Sequence, residues 1–182
     1  MDILKHTFGV AWEFVEAIVF ALAIFVIVYL FLFQPNQVKG SSMYPTFKDG
    51  EYILTDKISY RIGDPARYDV VVFKSPKDQD VDFIKRVIGL PGETVRVEGG
   101  KTYLNNKLLA EPYLASNVYT AGGLFLRDGQ TLTIPEGEYF VMGDNRPHSS
   151  DSREWGLVTK DEFIGKVFFR YFPFDRFGPA PS

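Results

Sequence analysis

The sequence predicts a mainly β protein in which one N-terminal transmembrane helix precedes a single β domain. A long uncharged apolar run lies near the N terminus, from Ala17 to Phe33. After Pro35 the chain breaks into short apolar or alternating segments bounded by Gly, Pro and Asn. The chain also contains 17 Phe and 10 Tyr, residues that are common in packed β cores. The expected organisation is therefore an N-terminal anchor segment, residues 1–33, and a β domain, residues 34–182.

The apolar run is predicted to form a transmembrane helix over roughly Trp12 to Phe33. About 20 apolar residues cross a bilayer, and Trp12 suits the membrane interface. A cleaved signal peptide and a buried core helix are the other interpretations. A signal peptide begins with basic residues and ends in a small-x-small site. Here three acidic residues and one lysine precede the run, and "FLFQPNQ" follows it, so an anchor is favoured.

The β domain is predicted from a series of segments that alternate or carry β-branched runs. "DVVVFKSP" is a continuous apolar run, as expected for a strand buried on both faces. "VDFIKRVIGLPGETVRV" reads as two strands around a Leu-Pro-Gly turn, and "VRVEGGKTYLNNKLL" as a hairpin that turns at Gly99 and Gly100. Further strands are expected in "EYILTDKI", "GQTLTIPEGEYFVMGDN" and "EFIGKVFFRYFPF". "YLASNVYTAGGLFLRD" is expected to be a surface excursion, and regular helix is expected only in the membrane span.

Composition argues against several functions. The net charge is −3, whereas nucleic-acid binders carry a basic surplus, so no nucleic-acid partner is predicted. The chain has no cysteine, which excludes disulfides and thiolate metal sites. No metal site and no cofactor is predicted.

A serine nucleophile is suggested by "KGSSMYPT", which follows soon after the apolar run. Gly40 allows tight backbone geometry beside Ser41 and Ser42, and Pro45 stiffens the exit. A serine hydroxyl needs a neighbouring base and donors for the oxyanion. Gly-Ser-Ser is also common in plain linkers, so the segment taken alone favours a linker over a catalytic serine.

Two bases are possible in the β domain. His148 lies in the polar loop "GDNRPHSSDSREWG" and could form a Ser-His-Asp triad with Asp151, although a solvated histidine is the plainer interpretation. Lys85 lies inside the apolar strand "VDFIKRVIGL", on the same predicted face as Phe83 and Val87. Desolvation lowers the proton affinity of such a lysine, so that its neutral amine can accept a serine proton. A strand lysine that snorkels to solvent is the alternative.

The loop from Gly143 to Trp155 follows the apolar strand "YFVM" and so begins at the edge of the core. Its charged residues are Asp144, Arg146, Asp151, Arg153 and Glu154. Pairing of Asp151 with Arg153 would fix the loop, and the hydroxyl of Ser149 or Ser152 could then orient a lysine amine.

Four motifs occur in the order "SSMYPT", "YDVVVFKSP", "FIKRVIGLPGE" and "MGDNRPHSSDSREWG", behind an N-terminal span. In this set and order the chain resembles the type I signal peptidases (leader peptidases) of bacteria and organelles. The resemblance extends from the anchor to "FIGKVFFRYFPF" and suggests the minimal short form. It implies a signal-peptidase-like β domain and a membrane-bound serine endopeptidase with a Ser/Lys dyad.

The resemblance also implies roles for individual residues. The family's nucleophile directly precedes Met, which corresponds to Ser42, and its general base corresponds to Lys85. Ser149 matches the serine that holds the base, and Asp151 and Arg153 match the structural pair of the loop. Where some members carry a serine as oxyanion donor, this chain has Gly40, so the expected oxyanion hole is the Ser42 N–H with a donor at Gly40. The resemblance assigns no role to His148.

The implied substrate is a secretory preprotein, cut after a small-x-small sequence. It is expected to bind as an extended strand against "QVKG" and "VDFIK", which include Gln37 and Asp82. The shallow pockets that admit Ala are expected to be lined by Val38, Met43, Phe47, Ile53, Phe83 and Ile84. Ser42 follows Phe33 by nine residues, at most about 30 Å of extended chain, which suits a substrate whose own apolar segment is still in the bilayer.

The resemblance places the catalytic domain on the extracytoplasmic face of the plasma membrane. The few lysines that flank the span weakly favour the opposite orientation, with the β domain in the cytoplasm. Expected partners are secretory preproteins, the lipid bilayer and the protein-export machinery. Two other functions remain open at this point, a Ser-His-Asp hydrolase and a non-enzymatic membrane-anchored β module.

Overall fold

The structure, a computed structural model, describes residues 2–115 and 117–181, with the backbone alone for residues 2–11. The chain divides into two compact units, Met1–Gln34 and Pro35–Ser182. The first unit consists mainly of helix α1 (Asp2–Leu32). Within α1 the 21-residue stretch Trp12–Leu32 is long and apolar enough to cross a membrane. The helix thus begins before the predicted span and ends one residue before Phe33.

The second unit is built from strands, as predicted. In chain order they are β1 (Phe33–Gln37), β2 (Tyr52–Asp56), β3 (Val70–Ser75), β4 (Asp78–Gly89), β5 (Thr94–Glu98), β6 (Lys101–Leu104), β7 (Lys107–Leu108), β8 (Thr131–Thr133), β9 (Glu138–Met142), β10 (Val158–Thr159), β11 (Phe163–Phe172) and β12 (Gly178–Pro179). Helices α2 (Ser59–Ile62) and α3 (Ser152–Trp155) interrupt them, as do single 3-10 turns at Arg146–His148, Lys160–Glu162 and Phe174–Arg176. Helix was expected only in the membrane span, so these short helices were not predicted. A helix of one turn is too short to show a helical period in the sequence.

The described strands form two sheets. The larger has the order β1-β2-β11-β3-β4-β9-β10, with β12 also paired to β11, and the smaller has the order β7-β6-β5-β8. β3 is buried along almost its whole length, which confirms the strand predicted to be covered on both faces. The predicted hairpin between β5 and β6 forms, with Val97 opposite Thr102 and Glu98 opposite Lys101.

Strand β4 changes its surroundings part-way along. The part of β4 that precedes Arg86 pairs with β3 alone, from Asp78 opposite Ser75 onwards. Pairing with β9 starts at Arg86, opposite Met142. In the described chain, the edge of β4 that precedes Arg86 therefore has no strand beside it. An extended peptide could add to such an edge through main-chain hydrogen bonds.

Three apolar clusters form the core of the second unit. The first surrounds β3 and β4 and contains Phe73, Val87 and Phe163, and the second joins β9 to the smaller sheet. The third lies behind the serine-bearing turn and consists of Val38, Met43, Phe47, Ile53, Val70, Val72 and Val167. The serine motif is thus fastened to the larger sheet by its own apolar residues.

The segment Tyr113–Asp128, called here the 113–128 excursion, contains no described strand. The prediction that it lies at the surface is only partly correct, because Leu126 is fully buried in the second cluster. It is attached to the loop that follows β9 by two buried arginines. Arg146 donates to Thr120 Oγ1 at 2.9 Å, and Arg153 donates to the carbonyl oxygen of Ala121 at 3.0 Å. Arg146 also pairs with Glu111.

Candidate active site

Ser42 begins the turn that connects β1 to β2, and its backbone is held from the opposite side of the site. The carbonyl oxygen of Ser42 accepts a 2.9 Å hydrogen bond from the Asn145 N–H. The carbonyl oxygen of Ser41 accepts bonds from Asn145 Nδ2 at 3.0 Å and from the Tyr44 N–H at 3.1 Å. The side chain of the next residue, Met43, is fully buried in the third cluster. The backbone at Ser42 is therefore fixed on both sides.

Lys85 is the last residue of β4 before the pairing with β9 begins, and its amine is directed at this serine. Lys85 Nζ is 3.0 Å from Ser42 Oγ and donates to the carbonyl oxygen of Ile84 at 3.0 Å. The residue is only 4% exposed, and the ring centre of Phe83 lies 5.2 Å from its amine. Burial lowers the pKa of Lys85 from its ordinary value of 10.5 to about 8, although the negative charges of Asp151 and Asp144 act to raise it. A substantial fraction of the amine is therefore neutral near pH 8.

Arg86 follows Lys85 in β4, so its side chain lies on the opposite face of the strand, where it forms a buried ion pair. Its guanidinium donates to both carboxylate oxygens of Asp144, at 2.9 and 2.8 Å, and both side chains are inaccessible to solvent. Thr46 donates its hydroxyl to the same carboxylate. One buried network thus joins the serine-bearing turn, β4 and the loop after β9, the three segments that meet at the site.

Asp151 and Arg153 form a second buried pair within the 143–155 loop. Arg153 donates to both carboxylate oxygens of Asp151 at 2.8 Å, and the Gly143 N–H donates to one of them at 3.1 Å. Arg153 also donates to the carbonyl oxygen of Arg146 at 2.8 Å. These bonds close the loop upon itself beside Ser42.

Ser149 lies against the serine-bearing turn. Its Oγ is buried and, within the described residues, has no hydrogen-bond partner. The loop approaches closely here, since a Cβ atom added at Gly143 would lie 2.2 Å from Ser149 Oγ and 2.5 Å from the carbonyl oxygen of Ser42. Only glycine fits at position 143 without displacing one of them.

The two expected oxyanion donors have different surroundings. Gly40 has a φ of +85°, which favours glycine, and its N–H donates to Asp49 Oδ1 at 2.6 Å. The Ser42 N–H makes no hydrogen bond within the part of the chain that the structure describes. The N–H of Ser42 is thus available to a ligand, whereas that of Gly40 would first have to leave Asp49.

A cleft of about 310 Å³ opens at the two side chains. Of the residues expected to bind substrate, it brings together Gln37, Val38, Ile53, Asp82, Phe83 and Ile84 with Ser42 and Lys85. Sequence reasoning missed Asn36, Lys39, Val72, Val81 and Ser150, which also line it. The structure places Met43 and Phe47 behind the cleft wall, both fully buried in the third cluster.

His148 does not join these groups. It is exposed at the end of the 3-10 turn Arg146–His148, and among the described residues no hydrogen bond links its ring to Ser42 or Asp151. The carboxylate of Asp151 is instead occupied by Arg153 and Gly143. The structure therefore offers no support for the alternative triad. Among the described residues, no group of three His, Asp or Glu side chains could hold a metal ion.

The chain is similar in sequence to several bacterial signal peptidases. The chain is 42% identical over 175 residues to a signal peptidase I of Bacillus amyloliquefaciens, covering 94% of this chain and 90% of that protein. It is 41% identical to signal peptidase I T of Bacillus subtilis (90% and 86% covered) and 40% identical to signal peptidase IB of Staphylococcus aureus (91% of each covered).

The crystal structure of a signal peptidase I from Enterococcus faecalis aligns with a TM-score of 0.48 at 36% identity, over 57% of this chain and 96% of that one. The sequence profile of the family described as signal peptidase, peptidase S26, matches residues 11–172. The chain therefore belongs to the signal peptidase family S26, whose members are serine endopeptidases.

Proposed function

We propose that this chain removes signal peptides from secretory preproteins with Ser42 as nucleophile and Lys85 as general base. The observation that carries this proposal is the 3.0 Å separation of Ser42 Oγ from the buried amine of Lys85. The lowered pKa of Lys85 supports it, because a base must be neutral to accept the serine proton. Membership of the signal peptidase family supports the choice of substrate.

The reaction proceeds in two halves. Ser42 Oγ attacks the carbonyl carbon of the scissile bond as its proton passes to Lys85 Nζ, giving a tetrahedral oxyanion. When this collapses, the C–N bond breaks and the Lys85 ammonium protonates the departing amine. The signal peptide is then held as an ester on Ser42. Lys85 next takes a proton from a water molecule, which attacks the ester and releases the new carboxylate, and the proton returns to Ser42 Oγ.

The oxyanion is stabilised by the Ser42 N–H, which has no competing partner in the described chain. A contribution from Gly40 requires its N–H to exchange Asp49 for the oxyanion. Ser149 is assigned to orient the Lys85 amine during proton transfer, since its hydroxyl is buried and has no hydrogen-bond partner among the described residues, so that it is free to bond the amine during the reaction. Asp151 and Arg153 act indirectly, by fixing the loop that carries Ser149.

The substrate binds as an extended strand between the end of β1 and the open edge of β4. Gln37 and Asp82 lie on those two edges, while Val38, Ile53, Phe83 and Ile84 contribute apolar walls. Met43 and Phe47 fill the core behind the walls, so the pockets stay shallow. Shallow apolar pockets accept Ala and exclude larger side chains, which yields cleavage after small-x-small sequences.

The proposed organisation follows the division of the chain. Residues 1–33 anchor the enzyme in the plasma membrane by one span, and residues 34–182 form the catalytic domain on the extracytoplasmic face. Anchoring places the enzyme where preproteins emerge and raises the effective concentration of their cleavage sites. The protein-export machinery is the expected neighbour there.

The decisive experiment measures cleavage of a purified preprotein by the full-length enzyme in lipid vesicles. Ser42→Ala and Lys85→Ala should each lose at least ~10³-fold in kcat/KM, because the two residues act as one unit. Ser41→Ala and His148→Ala are the matched controls and should retain cleavage. Full activity of Ser42→Ala would end the proposal, and loss of activity in folded His148→Ala would favour a histidine base.

A further inference from the structure

A second cavity, of about 400 Å³, lies beside the serine-bearing turn and shares no lining residue with the cleft. Tyr44 and Pro45 of the turn form one wall. Val118 and Tyr119 of the 113–128 excursion form a second, and Pro147 belongs to a third. The proposed mechanism leaves this cavity without a role.

The lining of this cavity is mainly apolar and offers no free charge, although Asn117 and the phenol groups of Tyr44 and Tyr119 also belong to it. Its charged member, Asp144, is bound by Arg86 and Thr46 and is 1% exposed. The side-chain amide of Asn145 is engaged by Ser41. Two large side chains nevertheless remain open, since Tyr44 is 52% and Tyr119 62% exposed. An uncharged apolar group is therefore the ligand that this lining suits.

The outer wall is held in place. Arg146 is 2% exposed and bonds Thr120, directly after Tyr119, and Arg153 is 4% exposed and bonds the carbonyl oxygen of Ala121. The ring of Tyr119 also packs on Gly100, where an added Cβ would lie 2.4 Å from it. Two buried guanidinium groups are a strong attachment for a segment without strands, because a buried charge that loses its partners destabilises the fold. The cavity is therefore preformed.

The position of the cavity identifies its occupant. Pro45 follows Ser42 by three residues, so their Cα atoms are at most about 11 Å apart. On the proposed function, the residues before the cut fill the cleft, and the chain after the cut must leave Ser42 by another path. We propose that the cavity is the subsite for the mature part of the preprotein, and that it binds an uncharged apolar side chain within the first three residues after the cut. A carboxylate there would lose water and meet no cation, because the unoccupied polar groups of the lining are the neutral side chains of Asn117, Tyr44 and Tyr119.

The test uses preproteins that are identical up to the cut and carry Leu or Asp at the first, second or third position after it. Cleavage by the purified full-length enzyme in detergent removes any effect of export. At one of these positions we expect kcat/KM to favour Leu by about tenfold, the usual discrimination by one apolar subsite. A ratio near one at all three positions overturns the inference.

Two variants alter the cavity in opposite ways. Tyr119→Ala removes a wall, and Ala115→Trp fills the space from an exposed lining position, so both should bring the Leu/Asp ratio to within about twofold of one. Leu124→Ala is the control, since this residue of the same excursion is 84% exposed and lies outside the cavity. Should both cavity variants keep the wild-type ratio, the inference is wrong.

The proposed function is tested in the same series by Ser42→Ala. If Ser42→Ala still cuts the Leu substrate, the proposed nucleophile is wrong, whatever the ratio. If cleavage needs Ser42 but does not depend on the residues after the cut, only the subsite is refuted.

Discussion

The backbone N–H of Asn145 donates a 2.9 Å hydrogen bond to the carbonyl oxygen of Ser42, and the side-chain amide of the same residue bonds Ser41. Asn145 and Ser41 are 104 positions apart in the chain. One residue of the loop that contains Asp151 and Arg153 thus holds both peptide groups that flank the proposed nucleophile. The precision of the site depends on this long-range contact.

Replacement of Asn145 by Asp tests this contact. A carboxylate cannot donate to the Ser41 carbonyl and repels it, while the backbone bond to Ser42 can remain. We expect kcat to fall by about tenfold or more with a smaller change in KM, since misplaced reacting groups slow chemistry more than binding. Asn106→Asp, an exposed turn position between β6 and β7, is the control for the added charge. Unchanged kcat in Asn145→Asp would show that the side-chain bond is dispensable.

The pH dependence of kcat/KM should report the titration of Lys85. On the proposed mechanism the neutral amine is the active form, and its pKa is about 8. We therefore expect kcat/KM to rise with pH up to about 8, and well below pH 8 to drop by about tenfold for each pH unit. A profile recorded with one peptide substrate from pH 5 to 10 provides the measurement. His148→Ala should leave the acid limb in place. An acid limb near ~6.5 that disappears in His148→Ala would identify a histidine base instead.

Arg153→Ala should destabilise the fold and impair catalysis together. The change leaves the buried Asp151 carboxylate without its cation and the carbonyl oxygens of Ala121 and Arg146 without a donor. Breaking such a pair lowers the free energy of unfolding by about 3–5 kcal/mol. Thermal unfolding and kcat of the folded fraction provide the readouts, with the exposed Arg127→Ala as control. Unchanged melting temperature and kcat would show that the Asp151–Arg153 pair supports neither the fold nor the site.

Cleavage should depend strongly on the residue just before the cut. Replacing Ala by Phe at the first position should raise the activation free energy by at least ~2 kcal/mol, because the pocket cannot expand into the packed third cluster. Phe at the second position is the control, since alternate side chains of an extended substrate point to opposite sides. The kcat/KM values of the three preproteins provide the comparison. Equal cleavage of the Ala and Phe substrates would refute the small-residue pocket.

The elements whose residues follow a local pattern of hydrophobicity could be predicted from the sequence. The uncharged run predicted α1, and the β-branched residues Val70 to Phe73 predicted a strand covered on both faces. Alternation along β4 predicted that Lys85 shares a face with Phe83 and Val87, and both of these pack on the first cluster. Local periodicity is sufficient here because it directly reflects burial.

Features that depend on distant partners could not be predicted in the same way. Arg86 and Asp144 pair although they are 58 positions apart, and no local spacing in the sequence predicts this contact. Asn145 donates to a backbone carbonyl oxygen and Asp49 accepts from a backbone N–H, and these backbone groups are the same for almost every residue type. Val72 and Val81 reach the cleft only through the register of β3 on β4, so neither looks like a site residue in isolation.

Lys85 and Arg86 point to opposite sides of β4, one to Ser42 and the other to Asp144. If the register of β4 slipped by one residue, Arg86 would face Ser42 in place of Lys85. The guanidinium of an arginine stays protonated and cannot serve as a base. In the unfolded chain, moreover, the lysine has its ordinary pKa of 10.5 and is almost wholly charged at neutral pH. On the proposed mechanism, the polypeptide becomes a protease only when β4 is paired in the correct register. Folding itself then performs the activation that zymogens achieve by cleavage.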